Sequence, residues 1–452
     1  MKKKQIIIIG GGISGLSTAW YLSRTTQPIE ILLLEKSSRF GGWLHTDHTK
    51  GFHFEKGPRT FKVDKSPSTM QLIQELGLEN ELIWSQSKPH HRYLWHEKEL
   101  HRFPTNPISF FMSPLTKGFL KAAFTEWRRP GKEGDETVYE FVLRRFNYDV
   151  ARLFFDPLVV GIFGGDIRKI SVRACFPMLK SWEEQYGCVT KGFWHHWKKK
   201  KEISSCSEHV PGLPLSAIFS FKQGIEQLTQ RLLAQTPLTC HSGQEIQGIS
   251  RDEEGFEVHS QTRTYRADAV FCALPVREAA ELFQQCVPEI ARELHRVPSE
   301  GITVVNVGYD HSVLPVQGFG YLTPTYSHED VLGVVFDSSV FPQLNRHAQE
   351  TRLTIKLEDK GKSEAWSIDA ALKGIRKHLN ISQNPTAISF KRNIRAIPQY
   401  GVGHLDKMAA LKEDLSKKMP GCFLVGNYLT GVSVDQCIAR AKQAVSEWLL
   451  TI

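Results

Sequence analysis

The chain has 452 residues, 41% of them hydrophobic and 23% charged, with 34 Gly and 22 Pro. These globular proportions exclude a disordered, collagen-like or disulfide-dense chain, and at about 150 residues per domain they suit two or three domains or one large interleaved one. Lys and Arg outnumber Asp and Glu by 57 to 48, a net charge of +9, which suits anionic partners: nucleic acid, acidic lipid headgroups or a polycarboxylate substrate. No apolar run approaches the ~18 residues of a membrane-spanning helix.

The N-terminal MKKKQIIIIGGG opens like a signal peptide, but four isoleucines followed by three glycines cannot form the apolar region such a peptide needs. Gln5 to Ile9 reads as a buried parallel strand, because β-branched residues run continuously there. At its end Gly10, Gly11, Gly12, Ile13, Ser14 and Gly15 complete the pattern G-x-G-x-x-G. Gly10 permits a tight turn, Gly12 lets the backbone approach a pyrophosphate, and Gly15 allows close helix–strand packing. A helix from Ile13 to Arg24 then points its N-terminal amides and positive dipole end at the phosphates. The next apolar strand, Ile29 to Leu34, ends at Glu35, 20 residues beyond Gly15, where a ribose hydroxyl needs an acceptor. Strand, turn, helix, strand and acid in that order point to a bound dinucleotide.

A helix is predicted at Ser68 to Glu75, and beyond it the charge becomes uneven. From Lys88 to Lys201 there are 21 Lys and Arg against 12 Asp and Glu, and the same quarter of the chain holds 21 of the 47 aromatic residues. FFMSPLTKGFLKAAFTEWRRPGK (Phe110 to Lys132) and KGFWHHWKKKK (Lys191 to Lys201) set Trp127, Trp194 and Trp197 beside clustered cations. Such a pattern suits the interface of an acidic membrane. Base stacking on nucleic acid and a solvated basic face compete with it. A peripheral membrane surface is preferred, and no nucleic-acid partner is assigned. Linker-like breaks fall at Ser85 to Pro89, Gly131 to Asp135 and Ser204 to Pro214.

Further on, a helix is predicted at Ile225 to Ala234, and Leu238 to Leu274 alternates short apolar runs with turns, as a small sheet with hairpins does. Strands follow at Thr303 to Tyr309 and Leu332 to Phe336, and helices at Ala365 to Leu379 and Ile438 to Leu450. The composite is mixed α/β. Cys175, Cys188, Cys206, Cys240, Cys272, Cys286, Cys422 and Cys437 are scattered without a C-x-x-C pair. They read as reduced thiols of a cytosolic protein, and no metal site is assigned. No Ser-His-Asp, Cys-His or H-E-x-x-H arrangement stands out, and the adjacent pairs His90-His91 and His195-His196 cannot face one ligand together on a helix.

In LLLEKSSRFGGWLHT, Arg39, Gly41 and Gly42 follow directly after Glu35. This Arg-x-Gly-Gly extension resembles the FAD-binding flavoenzymes of the amine oxidase and desaturase superfamily. The resemblance implies FAD rather than NAD, with Arg39 bracing the pyrophosphate region. Gly57, Pro58, Arg59 and Thr60 stand in HFEKGPRTFKV, and Pro398, Gln399 and Tyr400 in RAIPQYGVGH. With DPLVVGIFGGDIRKISVRACFP and the C-terminal PGCFLVGNYLTGVSVDQCIARAKQAV, they resemble the oxygen-dependent, FAD-containing protoporphyrinogen and coproporphyrinogen oxidases from Gln5 to Trp448.

That resemblance implies an α/β fold whose Rossmann-type FAD-binding domain is assembled from residues 1–80, 215–293 and 391–452. A helical membrane-binding domain (90–205) and an α+β substrate-binding domain (81–89, 206–214 and 294–390) are inserted into it. Gly10 to Gly15, Glu35, Lys36, Arg39, Gly42, Trp43, Gly57 to Thr60 and Gly426 would contact FAD. Ile246 would reach the adenine side through its backbone, and Val432, Ser433 and Val434 would close over the flavin. The family usually reads D-C-I beyond them, whereas this chain reads Asp435-Gln436-Cys437-Ile438. Arg59 matches an arginine that pairs with a substrate propionate. Phe319, Leu322 and Val335 match apolar residues that sandwich the substrate, and Gly161 a glycine whose carbonyl faces the pyrrole nitrogens. Lys356 replaces an apolar residue, and either a solvated lysine or a second cation for a carboxylate is open there.

The implied reaction is oxygen-dependent, six-electron oxidation of protoporphyrinogen IX or coproporphyrinogen III to the porphyrin in haem biosynthesis. It needs three two-electron cycles, each yielding hydrogen peroxide. The flavin carries the redox step, and no catalytic side chain is assigned. Another amine oxidase or desaturase of the same fold is one alternative, though amine oxidases usually carry a glutamate where this chain has Gly426-Asn427. A non-catalytic binding protein is the other, though such proteins lose parts of the fingerprint that is complete here. The implied location is cytoplasmic, peripherally attached to the cytoplasmic membrane. A homodimer and hand-over to a ferrochelatase are left open.

Overall fold

The computed structural model describes residues 3–85, 91–104, 107–203 and 217–452. The breaks expected at Ser85 to Pro89 and Ser204 to Pro214, with Cys206 and His90, fall outside these residues except for Ser85.

The isoleucine run forms the strand Lys4–Ile9 at the centre of a five-stranded parallel sheet. Ile29–Leu34 and then Thr239–His241 lie to one side, Ala269–Cys272 and then Cys422–Leu424 to the other. Ile6 and Ile8 enter one apolar core while Ile7 and Ile9 enter a second on the opposite face, so both faces of this strand are dry and alternation is absent. The first core is roofed by the helices Ile13–Ser23 and Val434–Leu449. The second is covered by Val276–Phe283, Pro288–His295 and His404–Lys418. Because the chain leaves Lys4–Ile9 in one direction and later fills the other, a crevice opens at that strand's carboxyl end.

Residues 238–274 do not form one small sheet. Ile246–Arg251, Phe256–Ser260 and Thr264–Ala267 make an antiparallel meander, whereas the flanking strands join the parallel sheet. The second large unit is a seven-stranded sheet in the order Ala387–Pro398, Ser299–Tyr309, Thr351–Glu358, Val331–Val335, Gly320–Leu322, Arg92–His96 and Glu99–Arg102. The helix Glu364–Leu379 packs on one of its faces. Two expected boundaries need correction. Arg92–His96 and Glu99–Arg102 belong to this sheet and not to the helical region, which begins at the helix Pro107–Met112. Leu82–Trp84 pairs with Ile218–Phe221 in a separate three-stranded sheet instead of joining the substrate sheet. The β-favouring aromatic and apolar run Tyr93-Leu94-Trp95 suits a strand, but its neighbour Gly320–Leu322 lies far along the chain.

The helical region has its own apolar core around Phe141, Val142, Val159 and Phe163. Beneath its surface, fully buried Arg145 bridges Glu126 and Glu183. Asp156 joins this region to the large sheet by accepting hydrogen bonds from Thr325 N at 2.8 Å and Thr325 Oγ1 at 2.9 Å.

Candidate functional site

Gly10 takes φ +105°, which closes the turn after the first strand. A Cβ on Gly15 would lie 1.9 Å from Gly10 O, so the helix rests directly on the turn. A Cβ on Gly12 would meet nothing nearer than Gly42 Cα at 3.9 Å. Gly12 and Gly42 therefore edge a cradle that protein side chains leave clear, and Gly41 N donates to Gly11 O at 2.8 Å to hold the two turns together. Glu35 turns back onto this loop. One carboxylate oxygen accepts from Gly11 N at 2.7 Å, the other from Ser37 N and Ser37 Oγ, both at 2.8 Å. A carboxylate has about four acceptor sites, so capacity for a ribose hydroxyl remains. Gln244 N donates to Glu35 O at 2.8 Å, which brings Ile246 alongside.

Arg39 acts on the protein rather than toward the cradle. Its guanidinium donates to the carbonyls of Phe40, Gly42 and Leu44, and pairs with Glu226 at 2.9 Å. The glycine turn is thereby clamped to a helix from another chain segment. Lys36 is exposed and paired with Glu245. Trp43 connects the cradle to the next motif, because a Cβ on Gly57 would lie 2.2 Å from Trp43 O. Gly57, Pro58, Arg59 and Thr60 thus follow directly from the nucleotide loop.

Opposite the first helix, Ser433 caps Val434–Leu449 by accepting from Gln436 N at 3.2 Å, completing a capping box. The starts of the two helices meet where Ser14 contacts Cys437. Asp435 faces away from the crevice: its Oδ1 accepts from Thr69 N at 2.7 Å and Thr69 Oγ1 at 3.0 Å, and burial raises its carboxyl pKa. The departure at Asp435-Gln436 therefore supplies a cap and a clamp on the helix Pro67–Glu75. Gly426 lies under Tyr428, in a loop stapled by Tyr400 Oη to Asn427 O and by His404 to Tyr428 O at 2.8 Å. Gln399 donates to Phe163 O at 2.8 Å, at the end of the helix Asp156–Phe163 that carries Gly161.

Arg59 is 8% exposed and pairs through Nη1 with Asp337 at 3.2 Å, while its buried Nη2 has no partner among the described residues. It lines a recess with Val335, Asp337, Val340, Phe341 and Leu344. Phe319 packs with Val335 in the same apolar cluster. Leu322 stands across the strand pair from Gly333, and its side chain meets Gly161. The structure thus brings Gly161, Leu322, Val335, Phe319 and Arg59 to one side of the large sheet. Sequence reasoning missed Asp337, which matters through its long-range pair with Arg59, and Gly333, which matters through strand register.

Comparison with known proteins places this architecture. Residues 13–448 match the family described as flavin containing amine oxidoreductase. The chain belongs to that family. The chain is 30% identical over 469 residues to human protoporphyrinogen oxidase, covering 98% of this chain and 97% of that one. It is 26% identical to Bacillus subtilis coproporphyrinogen III oxidase, with 99% and 98% covered. A crystal structure of an Exiguobacterium protein superposes with a TM-score of 0.86 at 22% identity over the full length of both chains. The protein is FAD-dependent, and the cradle at Gly12 and Gly42, Glu35 and the two helix starts fit that cofactor.

Proposed function

We propose that this protein oxidises a porphyrinogen to the porphyrin in haem biosynthesis, with oxygen as the electron acceptor. Bound FAD supplies hydride acceptance, two electrons per cycle, and oxygen restores it with release of hydrogen peroxide. The protein holds the ring and excludes water. Leu322 and Val335 on the sheet, with Gly161 on the helix packed directly against Leu322, form one apolar side for a broad, flat substrate. Arg59 anchors a propionate through its unpaired Nη2, since a guanidinium fork matches a carboxylate. The observation that carries this reading is that half-paired, buried cation in a recess where Val335, Val340, Phe341 and Leu344 meet Glu55, Asp337 and Arg352, one short segment from the dinucleotide cradle. The human and Bacillus subtilis relatives, by their names, act on such substrates.

The test offers protoporphyrinogen IX, coproporphyrinogen III and a panel of amines to the purified enzyme under air, following porphyrin fluorescence and hydrogen peroxide. Porphyrin formation with peroxide supports the reading. Amine oxidation without porphyrin formation overturns it.

The region 107–203 is the proposed membrane-binding part. Glu126, in the first aromatic, basic stretch, accepts from Val189 N at 2.9 Å and Thr190 N at 3.1 Å, at the start of the helix Val189–Ile203. The two stretches therefore lie side by side. Trp127 is 58% exposed and Trp194 54%, each with a cation over its ring. Aromatic rings at headgroup depth with cations beside them favour an acidic bilayer surface. Among the described residues, no helix is long and apolar enough to cross a membrane.

A further inference from the structure

Along the strand Thr351–Glu358, Leu353, Ile355 and Leu357 enter the core beneath the helix Glu364–Leu379. Arg352, Thr354 and Lys356 consequently share the opposite face. That face is not turned to water. Asn306, paired with Thr354, donates to Glu55 O at 3.2 Å, and Asn393, on the same face, donates to Lys56 O at 3.0 Å. Arg352 is occupied by the carbonyls of His53 and Phe341, both at 3.0 Å, and Thr354 by Asn306 and Asp337. Lys356 has no hydrogen bond or ion pair among the described residues.

Register places Lys356 between Val304 and Gly333, and Gly333 beside Leu322, which meets Gly161. Lys356 thus stands in the same row of the sheet as the apolar side proposed for the substrate. The charged groups facing it are Arg59 and Asp337, one of each sign; Val304, Gly333, Leu322 and Gly161 contribute none. With its own charge the cluster holds one cation in excess. Burial, reinforced by Arg59, lowers its pKa to about 8. Lys356 is half-buried, and a largely desolvated cation without a partner is costly unless an anion arrives to share it.

We infer that Lys356 is a substrate-binding residue, whose ammonium and the unpaired Nη2 of Arg59 together grip one carboxylate of the substrate. This rests on the porphyrinogen reading and adds a specificity element to it. One propionate edge of the ring is held by two cations of different geometry, a fork and a point charge. The other carboxylates are left to the rim.

The test measures binding of coproporphyrin III and of its tetramethyl ester to the flavin-loaded enzyme by porphyrin fluorescence. Wild type, Lys356→Met and Lys356→Arg are compared. Lys356→Met is expected to weaken binding of the free acid by about ten- to a hundredfold, the size of one charge-assisted hydrogen bond. Ester affinity and flavin content should stay unchanged, and Lys356→Arg should restore most of the loss. An anion is bound best by the protonated amine. Wild-type affinity for the acid should therefore fall as pH rises through about 8, a limb absent from both variants. Equal losses for acid and ester, or no loss for either, would overturn the inference and leave the porphyrinogen reading standing. Failure of the wild type to bind any porphyrin would instead overturn that reading, and this inference with it.

Discussion

Valine placed singly at Gly12 and at Gly15 should produce two different failures. At Gly15 the new Cβ would sit 1.9 Å from Gly10 O, where a carbon–oxygen contact needs about 3.3 Å. The helix Ile13–Ser23 would have to retreat by more than an ångström from a strand buried on both faces. Overpacking of that kind costs about 1–3 kcal/mol. At Gly12 the backbone has φ −78° and ψ −175°, open to any residue, and the nearest atom to a new Cβ is 3.9 Å away. The fold keeps its stability there, but the valine methyls occupy the pyrophosphate's approach. A cofactor present at a thousand times its Kd stabilises by about 4.1 kcal/mol. For a chain of 452 residues, an unfolding entropy of about 2.1 cal/mol/K per residue turns this into roughly 4 °C of Tm. Gly12→Val should purify colourless, melt with flavin-free wild type about 4 °C below the holoenzyme, and ignore added FAD. Gly15→Val should melt below flavin-free wild type. Visible absorbance and thermal denaturation decide the matter, and a Gly12→Val protein with stoichiometric flavin would refute the assignment of the cradle.

Arg59→Ala should retain flavin while losing about 2–5 kcal/mol of transition-state binding, or roughly one and a half to three and a half decades of kcat/KM on the porphyrinogen; unchanged kcat/KM would make Arg59 purely structural. Joint replacement of Trp194 and Trp197 by serine should weaken sedimentation with acidic vesicles, and added salt should weaken wild-type binding too. Equal binding to neutral and acidic vesicles at every salt concentration would sink the membrane reading. His404, stacked on Tyr400, is held neutral because burial lowers its pKa from the ordinary 6.5. Below that value the unfolded chain takes up a proton that the folded imidazole refuses, so acid costs stability, by about 1.4 kcal/mol per pH unit at most. His404→Gln should therefore lose less stability than wild type in urea melts between pH ~7 and ~5; parallel losses would falsify this account.

The dinucleotide end was legible because its causes are local. A β-branched run, a glycine turn and an acid at the end of the next strand act within one supersecondary unit, and the structure places each as expected. Arg39 was visible as a motif, yet its clamp on Glu226 joins segments far apart in the chain. The first stretch of the substrate sheet was hidden by composition: Arg92–His96 lies in a basic, aromatic-rich segment, and its pairing with Gly320–Leu322 is long-range. Lys356 was hidden in another way. TRLTIKLE alternates cleanly, which normally marks one face in water, but here both faces are covered and the polar row lies inside. The cations of the helical region were legible only as a total; that Arg145 is buried between Glu126 and Glu183 depends on packing that no periodicity encodes.

The roof over the first core also has a consequence for synthesis. Leu16, Ala19 and Trp20 are covered by Ile438, Ala441, Val445 and Trp448, which are synthesised more than 400 residues later. At about 5–20 residues per second, the first helix waits roughly 20–90 seconds for that cover. Throughout the interval a nascent chain exposes an apolar helix face and half of a phosphate-binding turn. The complete cradle therefore forms only after the helix Val434–Leu449 has been made, because the start of that helix is its opposite edge.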